Sequence, residues 1–125
     1  MKIATILIQN AVRLIGLILI VLGFLFWTGH SFNLVSLHMR LGETLSGLLW
    51  ILAVFGLIAR LSPVLPAVSI LWGALVVVFG MNMGRWLPGP AHEVIRVLHF
   101  LIGLAAIGLS EMLAARLKRK LAVRA

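Results

Sequence analysis

Long apolar runs, broken at three places by polar residues, glycine and proline, dominate this sequence. Four runs reach membrane-spanning length, at about 8–28, 37–59, 64–83 and 93–115. A helix needs about 20 apolar residues to cross the hydrocarbon layer, where its own backbone must satisfy every polar group. The pattern therefore predicts an all-α protein, a transmembrane four-helix bundle with up-down topology.

The three breaks carry residues that end helices. They read "TGHSFN", "RLSP" and "NMGRWLPGPAH", and glycine and proline are the strongest punctuation of local structure. Pro63 and Pro66 lie where a new helix can begin without losing an internal hydrogen bond. We expect one integral membrane domain over residues 1–125, ending in a basic tail at 116–125.

The first apolar run resembles a secretory signal peptide only superficially. Gln9, Asn10 and Arg13 interrupt it, and no small-residue cleavage site follows Trp27. We therefore expect a retained first membrane span.

The two halves of the chain repeat one another. "LHMRLGETLSGL" at 37–48 aligns with "LHFLIGLAAIGL" at 98–109, and the preceding runs align more weakly through glycines. The matched positions are Leu37/Leu98, His38/His99, Gly42/Gly103, Gly47/Gly108, Leu48/Leu109, Gly16/Gly73 and Gly23/Gly80. This pattern favours a duplicated two-helix hairpin with parallel repeats, although leucine and glycine are common enough here to match by chance.

The composition adds an orientation. The chain is 62% hydrophobic and carries 11 cations against three acidic residues. Eight cations fall on the side of the two termini and three on the other, so the positive-inside rule places both termini in the cytoplasm, as expected of a bacterial inner-membrane protein. Because five of the cations directly follow the last apolar run, we expect them to face anionic lipid and expect no nucleic-acid partner.

All four histidines then fall in the outer half. In an up-down bundle the second and fourth helices are diagonal neighbours, so the repeat predicts that His38 and His99 face each other. Each begins a stripe along its helix: Gly42, Leu45 or Ser46, Leu49, Ala53 and Gly56 after His38, and Gly103, Ala106 and Ser110 after His99. Small residues allow membrane helices to approach closely. The glycines are thus explained equally by helix packing and by room for a ligand.

Two facing imidazoles can supply both axial ligands of one b-type haem. Gly42 and Gly103 would leave space for the macrocycle, and Arg40, Arg85 and Arg96 lie at the level of its propionates. With paired histidines and four spans, the chain resembles the small four-helix transmembrane b-type cytochromes with bis-histidine haem. That resemblance implies an electron carrier near the outer face, holding one haem because the inner half has no histidine.

Other interpretations stay open at this level. His38 and His99 are alternatively interfacial residues that bond across helices. Met39, Met81 and Met83, with the histidines, are soft donors suited to Cu(I), and His30 and His92 are further candidate ligands. A non-catalytic accessory subunit of a larger membrane complex, or a homo-oligomer, also fits, and either a redox protein or a quinone would serve as electron partner.

Catalysis by side chains is not indicated. The chain has no cysteine, which excludes disulfides, iron–sulfur clusters and covalent c-type haem attachment. The three glutamates are dispersed, and Glu93 is spaced to pair with Arg96 on one helix face. No phosphate-binding loop or catalytic triad is present, so whether the chain is an enzyme is left open, with electron carriage favoured.

Overall fold

A computed structural model describes residues 1–124 and consists of four α-helices joined by short connections. The helices are α1 (Lys2–Trp27), α2 (Val35–Ile58), α3 (Val64–Asn82) and α4 (His92–Arg124), with 3₁₀ turns at Phe32–Leu34, Met83–Arg85 and Gly89–Ala91. Each of the four is long and apolar enough to cross a membrane. The predicted all-α, four-helix fold is confirmed, and no strand occurs among residues 1–124.

Two helices are longer than their apolar runs indicated. α1 begins at Lys2 rather than near residue 8, and α4 continues through the predicted basic tail as far as Arg124. Leucine, alanine, lysine and arginine are all good helix formers, and Leu117 is fully buried within this extension. The tail is therefore helical because its residues favour a helix and one of its faces still packs against the bundle.

The helix ends coincide with the predicted breaks. Gly29, with a φ of +83°, follows α1, and its amide donates to Phe26 at 3.1 Å. Arg60 adopts a left-handed φ of 58° after α2, where the Leu61 amide donates to Gly56 at 2.9 Å. Pro63 directly precedes α3. These turns satisfy carbonyl groups that a helix end would otherwise leave without partners.

α2 and α4 contact each other through the middle of the bundle, and α1 and α3 flank this central pair, each contacting both of its members. Successive helices are neighbours, as the up-down topology requires. One end of the bundle, here called the histidine end, holds connections 28–34 and 83–91. The opposite end, here called the terminal end, holds the start of α1, the last turns of α4 and connection 59–63.

The buried positions repeat between the two halves of the chain at the spacing of the sequence repeat. Equivalent positions of α2 and α4 are buried in five pairs, and those of α1 and α3 in four: Leu45/Ala106, Leu49/Ser110, Leu52/Leu113, Ala53/Ala114, Gly56/Leu117, Gln9/Pro66, Val12/Ser69, Gly16/Gly73 and Leu22/Phe79. Because equivalent positions are buried in both hairpins, the repeat is present in the helix packing as well as in the amino-acid sequence.

Close packing at three glycines fits these helices together. A Cβ atom at Gly16 would stand 2.8 Å from Cδ1 of Ile107, and one at Gly56 would stand 3.1 Å from Cγ of Pro66; at Gly73 it would overlap the indole of Trp50. That indole donates from Nε1 to the carbonyl of Ile70 at 3.0 Å. Lipid tails are as apolar as the helix surfaces, so tight packing and interhelical hydrogen bonds supply the association energy.

Candidate functional site

His38 of α2 and His99 of α4 lie beside each other at the histidine end. Their ring centroids are 6.1 Å apart, and the ring planes are inclined by 52°. Both residues are half-buried. The prediction that these histidines meet across the bundle is confirmed, because α2 and α4 are the helices that form its central pair.

Each imidazole rests against a glycine of a flanking helix. A Cβ atom at Gly23 of α1 would lie 3.8 Å from Cε1 of His38, and one at Gly80 of α3 would lie 3.7 Å from Cε1 of His99. Gly23 and Gly80 are matched positions of the repeat. The two rings therefore share one equivalent contact, a glycine of the flanking helix that lies beside each of them.

Phenylalanine side chains pack on the outer sides of the two rings. Phe79 stacks on His99 with centroids 6.0 Å apart and an interplanar angle of 12°. Phe26 meets His38 edge-on at 5.3 Å. Aromatic contacts of this kind restrict ring orientation, so both imidazoles are held by apolar neighbours rather than by polar ones.

Neither imidazole has a hydrogen bond at Nδ1. The Nδ1 atoms of His38 and His99 are buried and lack a partner among the described residues. An unpartnered buried polar atom costs about 1–3 kcal/mol, and here the cost occurs twice at equivalent positions. Two such atoms on neighbouring rings make the histidine pair the leading candidate site of the bundle.

Gly42 and Gly103, one turn further along α2 and α4, face open space. A Cβ atom at either position would have no heavy atom within 4 Å beyond its own helix. These glycines are therefore not the close-packing ones, which are Gly16, Gly56 and Gly73. Gly47 and Gly108 face open space in the same way, so the geometry excludes close packing against other helices at Gly42 and Gly103 without assigning that space to a ligand.

Aromatic contacts continue from each imidazole to the surface of the histidine end. Phe79 contacts Trp86 edge-on at 5.1 Å, and Phe26 stacks with Phe32 at 6.4 Å. Trp86 and Phe32 are exposed. Each ring of the histidine pair is thus joined to the surface through one intervening phenylalanine.

The other two histidines lie outside this pair. Nδ1 of His30 is 3.1 Å from Oγ1 of Thr28, and Nδ1 of His92 is 3.0 Å from the carbonyl oxygen of Trp86. The first contact lies within connection 28–34, and the second joins the first residue of α4 to connection 83–91. His30 and His92 accordingly stabilise the two connections of the histidine end.

The arginines of the histidine end are all exposed. Arg40 lies in the second turn of α2, Arg85 in connection 83–91 and Arg96 in the second turn of α4. Arg96 pairs with Glu93 at 3.4 Å, as their spacing predicted. Glu93 also accepts a hydrogen bond of 2.6 Å from Nε1 of Trp27, which joins the end of α1 to the start of α4.

A surface cavity of about 380 Å³ adjoins this region, lined by Gly84, Pro88, Gly89, Pro90, His92, Glu93 and Arg96. Arg96 thus faces open volume beside its glutamate partner. Its guanidinium lines this cavity together with Glu93.

The methionine candidates differ in exposure and in secondary structure. Met81 is 59% exposed and Met39 is 43% exposed, whereas Met83 is half-buried in a 3₁₀ turn. Residues two apart on a helix do not face each other. The spacing of Met81 and Met83 therefore does not by itself form a donor pair.

Sequence reasoning missed a polar cluster between α1 and α4. Glu111 accepts hydrogen bonds from Nε of Arg13 at 2.7 Å, from Nη2 of Arg13 at 3.0 Å and from Nε2 of Gln9 at 2.6 Å. Gln9 and Arg13 differ by four residues, which places them on one helix face. The spacing was visible in the sequence, but the partner 98 residues away was not.

The sequence likewise did not predict which residues surround the two histidines, namely Gly23, Gly80, Phe26 and Phe79. In the sequence, the two glycines stood out only as matched positions of the repeat. No sequence feature distinguishes these two phenylalanines from those that face lipid. Their positions depend on how α1 and α3 pack against the central pair.

Among residues 1–124, no group of three or more histidine, cysteine, aspartate or glutamate side chains is arranged to hold a metal ion. The histidine pair thus offers two protein ligands. Comparison with protein-family models, curated proteins and solved structures finds no match to this chain.

Proposed function

We propose that this chain is a membrane-embedded b-type haem protein in which His38 and His99 bind one haem iron, and that it carries electrons near the outer face of the membrane. The observation that carries the proposal is the facing pair of half-buried imidazoles, with centroids 6.1 Å apart. It is supported by the matched glycines, Gly23 and Gly80, that lie at the Cε1 atoms of the two rings.

His38 and His99 would each bind the haem iron through a ring nitrogen, and their rings lie close enough for both to reach one group, with centroids 6.1 Å apart. Two ligands suffice for haem iron because the macrocycle supplies the other four nitrogens. A tetrahedral zinc site needs more protein ligands than this pair provides.

The polar and steric surroundings favour the same ligand. The Nδ1 atoms of both rings are buried without hydrogen-bond partners, so no protein group competes with a ligand for that nitrogen. The macrocycle would lie beside Gly42 and Gly103, where no side chain of another helix stands within 4 Å of a Cβ position. Phe26 and Phe79 would hold the imidazoles in orientation and shield the site from water.

The arginines would receive the propionates. Arg96 lies beside the cavity of about 380 Å³ and is bound only by an exposed ion pair with Glu93. Exposed ion pairs are weak, typically below about 1 kcal/mol, so Arg96 can exchange this partner for a propionate. Arg40 and Arg85 are the further candidates at the same end.

When bound, the haem would supply a one-electron couple, whose potential depends on its axial ligands and on the polarity around it. The aromatic side chains between the histidines and the surface, ending at Trp86 and Phe32, would shorten the electron path to a partner. That partner would be a redox protein or a quinone at the histidine end.

The charge distribution supports the location. Eight cations lie at the terminal half of the bundle and three at the histidine half, which by the positive-inside rule places both termini in the cytoplasm. The haem would then lie near the outer face of a bacterial inner membrane. Assembly with a second copy or within a larger membrane complex is compatible with this location.

The visible spectrum of detergent-purified protein after haem-replete expression tests the proposal. We expect a Soret band in the wild type, its loss in His38→Ala and in His99→Ala, and its retention in His30→Ala and His92→Ala. Absence of the band from the wild type, or its persistence without either His38 or His99, would contradict the proposal.

A Cu(I) titration distinguishes haem binding from copper binding at the histidine end. We expect no stoichiometric Cu(I) binding that depends on the methionines. If binding is found and is lost in Met81→Leu/Met83→Leu, copper handling replaces haem as the function of this end of the bundle.

A further inference from the structure

The last turns of α4 form one wall of a basic cleft at the terminal end. The cleft has a volume of about 520 Å³ and is lined by Leu61, Arg116, Arg119, Lys120, Val123 and Arg124. The four cations recur at separations of three, one and four residues, which places them on one face of the helix. Leu61, directly after the left-handed Arg60, closes the cleft from connection 59–63.

No acidic side chain balances this charge. The chain has three acidic residues. Glu43 and Glu93 lie near the histidine end, and Glu111 binds both Arg13 and Gln9. The salt bridges among residues 1–124 are Arg13–Glu111 and Arg96–Glu93, so the cations of the cleft have no acidic partner in the described part of the chain.

The cleft lies at the depth of lipid headgroups. α4 has 33 residues and is therefore about 50 Å long at 1.5 Å per residue. The hydrocarbon layer is about 30 Å thick and the bilayer with its headgroups about 40–45 Å. With its start at the histidine end, α4 carries residues 116–124 through the headgroup layer of the opposite leaflet.

We propose that the basic cleft binds the phosphate of an anionic glycerophospholipid. Arginine guanidinium groups hold phosphate oxygens through paired hydrogen bonds, and Arg116, Arg119 and Arg124 offer three of them. Leu61 and Val123 supply an apolar surface for the carbons next to the headgroup. The volume lies within the range of about 300–1,000 Å³ of small-ligand sites. This site is independent of haem binding at the other end.

The chemistry recognised is a phosphate ester, which a lipid or a soluble metabolite can present. The lipid is favoured because the cleft borders the membrane and its lining combines cations with apolar side chains. Lipid enters such a cleft from the bilayer, where its local concentration is high.

Native mass spectrometry of the intact protein, released from neutral detergent micelles holding equal amounts of phosphatidylglycerol and phosphatidylcholine, tests the proposal. We expect the wild type to retain phosphatidylglycerol in about tenfold preference, given the attraction of each basic residue for anionic lipid. Arg119→Gln/Arg124→Gln should lose that preference. Lys2→Gln/Lys118→Gln removes the same charge at the same end but outside the cleft, and should keep it.

Equal retention of the two lipids by the wild type, or equal loss of preference in both double variants, would overturn the assignment. Glycerol 3-phosphate distinguishes the sources: displacement of phosphatidylglycerol at equal concentration would assign the cleft to a soluble phosphate and overturn the lipid. Displacement by a short DNA oligonucleotide at that concentration would overturn it in favour of nucleic acid.

Discussion

Gly80 of α3 lies against the imidazole of His99, so that a Cβ atom at residue 80 would stand 3.7 Å from Cε1 of the ring. Gly23 of α1 has the same relationship to His38, at 3.8 Å. Both distances are ordinary van der Waals contacts for one methyl group, so a longer side chain directed at the ring would overlap it. The flanking helices thus set how far each imidazole can turn.

Replacing either glycine by leucine should displace its imidazole and lower haem retention several-fold, because the added carbons occupy the position of the ring. Gly23→Ala and Gly80→Ala should retain haem, since their Cβ atoms fit. The measurement is Soret absorbance relative to protein after haem-replete expression. Full haem content in Gly80→Leu would show that the ring position is not needed for binding.

Gly42→Leu and Gly103→Leu separate ligand space from helix packing. Neither substitution meets a protein atom near its Cβ, so the apparent melting midpoint of the haem-free protein should hardly change. Haem content should fall if the macrocycle lies beside these glycines.

The matched controls are Gly47→Leu and Gly108→Leu, which also face open space but lie further from the histidines. These two variants should keep their haem. Equal haem content in all four variants would show that the macrocycle does not lie beside Gly42 and Gly103.

Gly73→Ala should destabilise the bundle by about 1–3 kcal/mol, the usual cost of overpacking a fitted interface. Its Cβ overlaps the indole of Trp50, which must move and thereby lose its 3.0 Å hydrogen bond to Ile70. Unfolding in mixed micelles with increasing dodecyl sulfate measures the change. Gly108→Ala is the control, because a Cβ there meets nothing; an equal effect of the two substitutions would contradict the packing explanation.

Arg13→Leu and Glu111→Leu should each lower the apparent melting midpoint, because each leaves a charge without its partner inside a membrane span. The reversal Arg13→Glu/Glu111→Arg should recover most of the loss, since the ion pair re-forms and Gln9 can use its carbonyl oxygen as an acceptor. Differential scanning fluorimetry in detergent provides the midpoints. If the double reversal is no more stable than the single variants, the pair does not stabilise the contact between α1 and α4.

The spans, their order and the helix breaks followed from the sequence because hydropathy and turn-forming residues act locally. A run of about 20 apolar residues has few alternatives to a membrane helix. Glycine and proline mark helix ends locally, as Gly29 does after α1 and Pro63 does before α3. The pairing of His38 with His99 also followed, since the repeat gives both residues the same register and the up-down topology makes their helices diagonal neighbours.

The C-terminal end of α4 did not follow from hydropathy, because charged residues end an apolar run without ending a helix. Residues 116–124 continue α4 since lysine, arginine, leucine and alanine favour helix and Leu117 packs inward. This extension is what places the cations of the basic cleft on one face.

Sequence by itself determined four spanning helices, a repeated hairpin and two histidines at one end. Only the tertiary structure decided which glycines contact another helix and which face open space. Gly16, Gly56 and Gly73 are closely packed, and Gly23 and Gly80 lie beside imidazoles. Gly42 and Gly103 face open space. It also joined Arg13 to Glu111 across 98 residues. The reason is physical: the role of a residue without a side chain, or of a charge in a span, depends on the neighbouring helix that packs against it.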